Sequence, residues 1–419
     1  MLELAAIFIT LTTLLTYLNY RFIRLPPTIG VMVTALLFSV LLQVLSWMEH
    51  PLLENEMQEI ISQLDFSDLL MTWFLPALLF AGALHVDLRD LKSYRWPIGL
   101  LATVGVLIST FVVAGLTFYI CQWFDWSIPF IYCLIFGALI SPTDPIAVMG
   151  ILSSAGAPKP LATTIVGESL FNDGMAVVLF SLLLGIIVSG ESPTVGGVSA
   201  LFAKEALGGI AFGCLLGFGV YLLLRRVDQY QIEVMLTLAT VLGGAALASR
   251  LHVSAPIALV VAGLIIGNFG RAYAMSEETR RYVDKFWELI DEILNALLFA
   301  LIGLELLLIP FSWLHVGAGL VVGAAVVCAR YFTIAPGVVL FRKICKDKVD
   351  IPAGSARILT WGGLRGAVSV ALALALPAGE VRDVLLNLTY IIVLVSILLQ
   401  GLTIGPMVRR LFPSSNNPE

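Results

Sequence analysis

The chain has 419 residues, of which 59% are hydrophobic and 13% charged, with a mean hydropathy of +0.97 and a formal charge of −5. A soluble domain carries about 25% charged residues, so a water-soluble globule is excluded: one core could not hide this much apolar surface, whereas a bilayer can act as its solvent. The modest charge, without a basic block, gives nucleic-acid binding no support.

Apolar runs of about 20 residues, the length that crosses a bilayer, alternate with charge and turn clusters. They predict an all-α polytopic membrane protein of about thirteen helices, near residues 2–20, 28–47, 68–85, 97–121, 128–152, 161–188, 198–224, 231–248, 254–270, 284–308, 313–340, 355–377 and 384–408. The first run has no basic residue before it and no small-residue cleavage site after it, so it reads as a mature span and not as a signal peptide. With the end of the chain close behind Arg409 and Arg410, a bare membrane unit is expected. The loop between spans two and three holds Glu49, Glu54, Glu56, Glu59 and Asp65 and no basic residue; it reads as a solvated face.

Span five contains Ser141-Pro142-Thr143-Asp144-Pro145 near its middle. Two prolines three apart remove two amide donors and clash with preceding carbonyls, so a regular helix should break there. Unwound backbone at membrane depth is tolerated only against protein or a wet cavity, where its carbonyls, Thr143 and Asp144 can coordinate a cation; the bland reading is a proline kink. Span six carries Glu168, Ser169, Asn172 and Asp173. At about 100° per residue these four fall within an arc of roughly 140°, a polar face that must point at protein. A hard cation such as Na+ needs oxygen ligands. Carboxylates sharing one buried place cannot all stay ionised without a counter-charge, which either a proton or a metal ion supplies.

Glu288, Asp291 and Glu292 fall at the expected start of span ten and read as N-terminal charges favoured by the helix dipole, the alternative being a cation-attracting mouth. Glu305, near the other end, reads as interfacial, and the four histidines near span ends receive no role. Span eleven contains Arg330 at a depth similar to Glu168, about 7 Å from Asp173 along the axis, which makes a Glu168–Arg330 ion pair reasonable. Span twelve contains Gly362-Gly363-Leu364-Arg365-Gly366, where an unwound stretch would carry a fixed positive charge suited to the carbonyl ends of half-helices. The five cysteines have no metal-site or disulfide spacing and read as small packing residues.

Of the 24 lysines and arginines, nineteen fall in one set of alternating loops and only Lys204, Arg250 and Arg382 in the other. The positive-inside rule then puts the N-terminus outside and the C-terminus in the cytoplasm. The interruptions in spans five and twelve lie seven spans apart. An odd offset reverses orientation, as an inverted repeat of helices 1–6 and 8–13 requires, with helix seven as connector.

At Ser141 to Pro145, Glu168-Ser169 with Asn172-Asp173, and Gly362 to Gly366, the chain resembles the monovalent cation/proton antiporter superfamily, in particular the sodium/proton antiporters of bacteria and archaea and the animal sodium/proton exchangers. The resemblance implies a secondary antiporter that exchanges Na+ or Li+ for H+ in the cell membrane, serves pH homeostasis, and needs no cofactor beyond the ions it carries. It implies crossed broken helices, a core bundle at about 97–188 and 313–408 moving against a scaffold at about 1–96 and 198–308 that dimerises, and hence a homodimer. It makes Asp173 the exchanging carboxylate, Asp144, Thr143 and Ser169 further Na+ ligands, and Glu168 the partner of Arg330, with Asn172 and Arg365 in support. Asn172 stands where electrogenic relatives carry a second aspartate, which favours one-for-one exchange. A K+/H+ antiporter, an organic-anion symporter and a passive cation channel are the alternatives within transport. An intramembrane aspartyl protease using Asp144 and Asp173 gives the prolines, Glu168 and the arginines no task, and the chain is expected not to be an enzyme.

Overall fold

The computed structural model describes residues 2–47, 58, 66–144, 146–189, 195–308, 312–344, 352 and 354–412. The acidic loop residues Glu49, Glu54, Glu56, Glu59 and Asp65, together with Pro145, Lys346, Lys348 and Cys345, lie outside them.

Among the described residues the secondary structure is helical, and all thirteen predicted spans are present. Helices one (Leu2–Leu18, extended by a π-helical turn at Asn19–Ile23), two (Pro27–Trp47), four (Arg95–Trp123), six (Lys159–Ser189), seven (Val195–Leu224), eight (Tyr230–Leu251), nine (Ala255–Tyr273), eleven (Trp313–Ile344) and thirteen (Glu380–Leu411) are long and apolar enough to cross a membrane. Helix three (Leu69–Leu84) is shorter. Helix five is divided into Phe130–Ile140 and Ile146–Ser154, and helix twelve into Ser355–Trp361 and Ala367–Leu374.

Helix ten (Glu277–Glu305) corrects the expected boundary at 284 by two turns. The signal is local: the Ser276 side chain accepts from the Thr279 amide at the N-cap, and Glu277 and Glu278 follow in the first turn, where anions meet unpaired amides. The stretch is amphipathic and charged, so it carries no span signal. Between helices three and four a short helix, Leu88–Ser93, is capped by Asp87, whose carboxylate accepts from the Arg89 amide at 2.7 Å. The adjoining Arg89 side chain and amide hold that carboxyl down at about 2.

Packing follows the inverted repeat. Helix three lies on helix nine as helix ten lies on helix two, helix one on two as eight on nine, and helices four and eleven face each other. The core is continuous across helices two to six and ten to thirteen. A second cluster around the fully buried Trp287 joins helices three, seven, eight and nine to helix ten, and its indole donates to Thr237 at 2.9 Å. Outward-facing Leu, Phe, Val and Ile on helices one, two, four, seven, eight and eleven form an apolar coat of the kind lipid tolerates. Cys121 and Cys133 are buried as expected, but Cys328 is exposed on that coat.

Candidate cation-binding site

The two interruptions cross. Pro142 cannot donate to a helical ladder and the three glycines at 362, 363 and 366 are poor helix formers, so both chains run unwound where they meet. The Asp144 amide donates to Leu364 O at 2.8 Å. In return Arg365 Nη1 donates to Ser141 O at 2.5 Å and Pro142 O at 2.9 Å, which end the first half of helix five. The exchange of charge is reciprocal: Arg365 from one break neutralises a carbonyl end in the other, while the Asp144 side chain lies against Gly366, the residue that opens the second half of helix twelve. An anion belongs at such an amide end and a cation at such a carbonyl end.

Two glycines are required by this closeness. A Cβ at Gly366 would stand 2.7 Å from Asp144 Cβ, and one at Gly363 would overlap the Arg330 guanidinium. Gly366→Ala is therefore expected to push Asp144 aside and lower transport about tenfold or more, the equivalent of the ~1–3 kcal/mol that overpacking costs. Gly243→Ala on helix eight, whose added methyl meets open space, is the control in the same flux assay.

Helix six supplies the second wall. Thr143 Oγ1 and Ser169 Oγ share a 3.0 Å hydrogen bond, and Asn172 Nδ2 donates to Thr143 Oγ1 at 2.9 Å. An amide at 172 thus holds the hydroxyl without adding charge, and its own Oδ1 is buried and unpartnered. Asp173 is 7% exposed. It meets Asp144 and Thr143 around a cavity of about 570 Å³ that runs between helices three and ten on one side and five, six and twelve on the other.

Glu168 stands apart from that cavity, its Oε1 2.9 Å from Arg330 Nη2, with side chains 4% and 10% exposed. Arg330 Nε donates to Leu359 O at 3.2 Å, so the guanidinium is tied to the end of helix twelve's first half. Of the eight residues singled out in the sequence, Asp173, Asp144 and Thr143 line the cavity, Ser169 and Asn172 hold Thr143 from behind, and Glu168, Arg330 and Arg365 form the frame.

Sequence reasoning carried the mouth only as the alternative to helix N-terminal charge. Glu288, Asp291 and Asn295 line the same cavity as Asp173, as do Asp284, paired with Arg271, and His85. Glu288 lies well inside helix ten, so the reading of this cluster as N-terminal charge is wrong on position; the i, i+3, i+7 spacing of Glu288, Asp291 and Asn295 was the available signal. Also missed were Ser109, which accepts from Ser141 Oγ at 3.0 Å, and Ser396, which accepts from the Arg365 amide at 3.0 Å and donates to Gln400. The pair Ser396 and Gln400, four apart in an apolar span, marked that face. Glu305, the last residue of helix ten, is buried in protein at 5% exposure, one turn from Ile302, whose carbonyl accepts from the Tyr390 hydroxyl at 2.8 Å.

A family profile described as "Sodium/hydrogen exchanger, transmembrane" matches residues 8–410. The chain is similar to the Na(+)/H(+) antiporter NhaP of Pseudomonas aeruginosa, 70% identical over 412 residues that cover 98% of this chain and 97% of that one. It is also similar to the Na(+)/H(+) antiporter NhaH of Halobacillus dabanensis, 35% identical over 377 residues, covering 88% and 89%. The backbone is similar to the solved structure of the sodium proton antiporter MjNhaP1 from Methanocaldococcus jannaschii, with a TM-score of 0.76, 98% of each chain covered and 20% identity, a likeness of fold.

Proposed function

The chain belongs to the sodium/hydrogen exchanger family of multi-pass membrane transporters, and from that premise we propose that it exchanges Na+ for H+, one for one, at Asp173. The observation that carries this reading is a buried carboxylate, Asp173, facing Asp144 and Thr143 across a cavity with an acidic mouth. In a low-dielectric wall both carboxylates cannot remain ionised alone. A proton on Asp173 or a Na+ held by Asp173, Asp144 and the Thr143 oxygen, with Ser169 orienting Thr143, supplies the missing charge. Occupancy by one expels the other, so the site couples two opposite flows.

The nineteen-to-three imbalance of basic residues supports a cytoplasmic C-terminus and an outer N-terminus in the cell membrane, which makes the mouth at Glu288 and Asp291 cytoplasmic. The cavity's two walls support a division into a core of about 97–188 and 313–408 and a scaffold of about 1–96 and 198–308 that slide past each other. The large apolar residues exposed on helix seven, Leu207 and Leu215 among them, suit a homodimer contact.

In proteoliposomes the full-length protein is expected to move protons out against inward Na+ or Li+ and to respond weakly to K+. With the membrane potential clamped by valinomycin and K+, the rate should not change when the imposed potential is reversed, as one-for-one exchange demands. A rate that follows the potential would replace that stoichiometry, and ion flux without proton movement would replace exchange by conduction.

A further inference from the structure

Helix six presents one stripe, Val166, Leu170, Asp173, Val177 and Ser181, at spacings of four, three, four and four. Its first three members line the cavity already described, whereas Val177 and Ser181 line another, of about 370 Å³, between helices three, six, seven, eight and nine. Ser181 lies two turns, about 12 Å, beyond Asp173 along the axis. Between the two spaces the packing is dry: Val178, Ala206 and Ile257 form a closed cluster with Phe202, and Ile257 Cγ1 would stand 2.7 Å from a Cβ on Gly174.

The second cavity is lined in part by polar groups at the turn between helices eight and nine. Helix eight ends at Leu251, helix nine starts at Ala255, and the turn between them is tied to helix seven by the Ser254 amide donating to Glu205 O at 3.2 Å. Glu205 lies ten residues, about 15 Å, below the start of helix seven. Its half-buried carboxylate is the acidic group among the described residues of this cavity, joined there by Thr72, Ser181 and Ser249 and by His252 at the turn. Lys204, its neighbour in sequence, is exposed and does not line it.

We propose that this cavity is the outer half of the ion path, closed from Asp173 in the present conformation, and that Glu205 with the nearby hydroxyls holds a monovalent cation there. The inference rests on the exchange reading for its direction. It follows from the stripe, because any sliding of helix six along the scaffold carries Asp173 from one space toward the other, and from the ligand chemistry, since a carboxylate among hydroxyls is an oxygen site for a hard cation.

Right-side-out and everted vesicles from cells expressing the full chain test it. Glu205→Gln should raise the Na+ KM at the outer face about fivefold, the factor a nearby charge is worth in a wet site, and leave the inner-face KM within about twofold; Glu205→Asp should restore it. A second readout does not depend on exchange: a cysteine placed by Ala246→Cys, on the cavity wall, should react with an impermeant maleimide from outside, more slowly in NaCl than in choline chloride, and Glu205→Gln should erase the difference. An unchanged outer KM together with labelling indifferent to Na+ overturns the site, as does an equal rise of KM at both faces. Na+-protected labelling in vesicles that show no exchange would remove the exchange reading and leave the cation site standing.

Discussion

Asp173→Ala is expected to abolish Na+-dependent proton movement in proteoliposomes. At an effective dielectric of about 20, a carboxylate about 4 Å away contributes about 4 kcal/mol to holding a monovalent cation, roughly a thousandfold in affinity, and in the proposed exchange the same residue also carries the proton. Asp173→Asn should be as inactive, because an amide keeps the shape and one oxygen but neither charge nor titration. Asp144→Ala should weaken exchange by raising the Na+ KM while leaving measurable turnover, since Asp173 still alternates between its two ligands. Neither change at Asp173 should lower the melting temperature appreciably: Asp173 has no ion-pair partner among the described residues, so its loss strands nothing. Full transport by Asp173→Ala would remove that residue from the site.

Glu168→Ala should do the reverse, striking the fold first. Its carboxylate and the Arg330 guanidinium are nearly sealed from solvent. Removing one member of a buried pair leaves the other uncompensated, at a cost of about 3–5 kcal/mol. The expectation is a clear drop in melting temperature in detergent, matched by Arg330→Ala. The double variant should lose less than the two single losses added together, because no lone charge remains. Glu168→Gln should fall between, keeping an acceptor for Arg330. If Glu168→Ala melts with the parent protein but loses Na+ affinity, Glu168 is a ligand and not part of the frame.

How much of this could be read from sequence depended on where the constraint lies. The thirteen spans were legible because the bilayer imposes a length on each apolar run, and the breaks at Ser141–Asp144 and Gly362–Gly366 because proline and glycine act locally. Depth along a helix was legible too, which is why Glu168 and Arg330 were matched through axial rise alone. What was not legible is azimuth between helices far apart in the chain. Glu288 and Asp291 face Asp173 only because helix ten packs against helices two and three, and Glu305 is buried by contacts no spacing rule encodes. The start of helix ten was missed for another reason: its charged first turns resemble a loop to any reading tuned to apolar runs.

Arg365 serves carbonyls that precede it by 224 and 223 residues. During synthesis, the first repeat enters the lipid long before the second exists, so Ser141 and Pro142 must wait with bare acceptors in an oily surrounding. Docking of the second repeat is thus what satisfies the acceptors left open at the centre of the first.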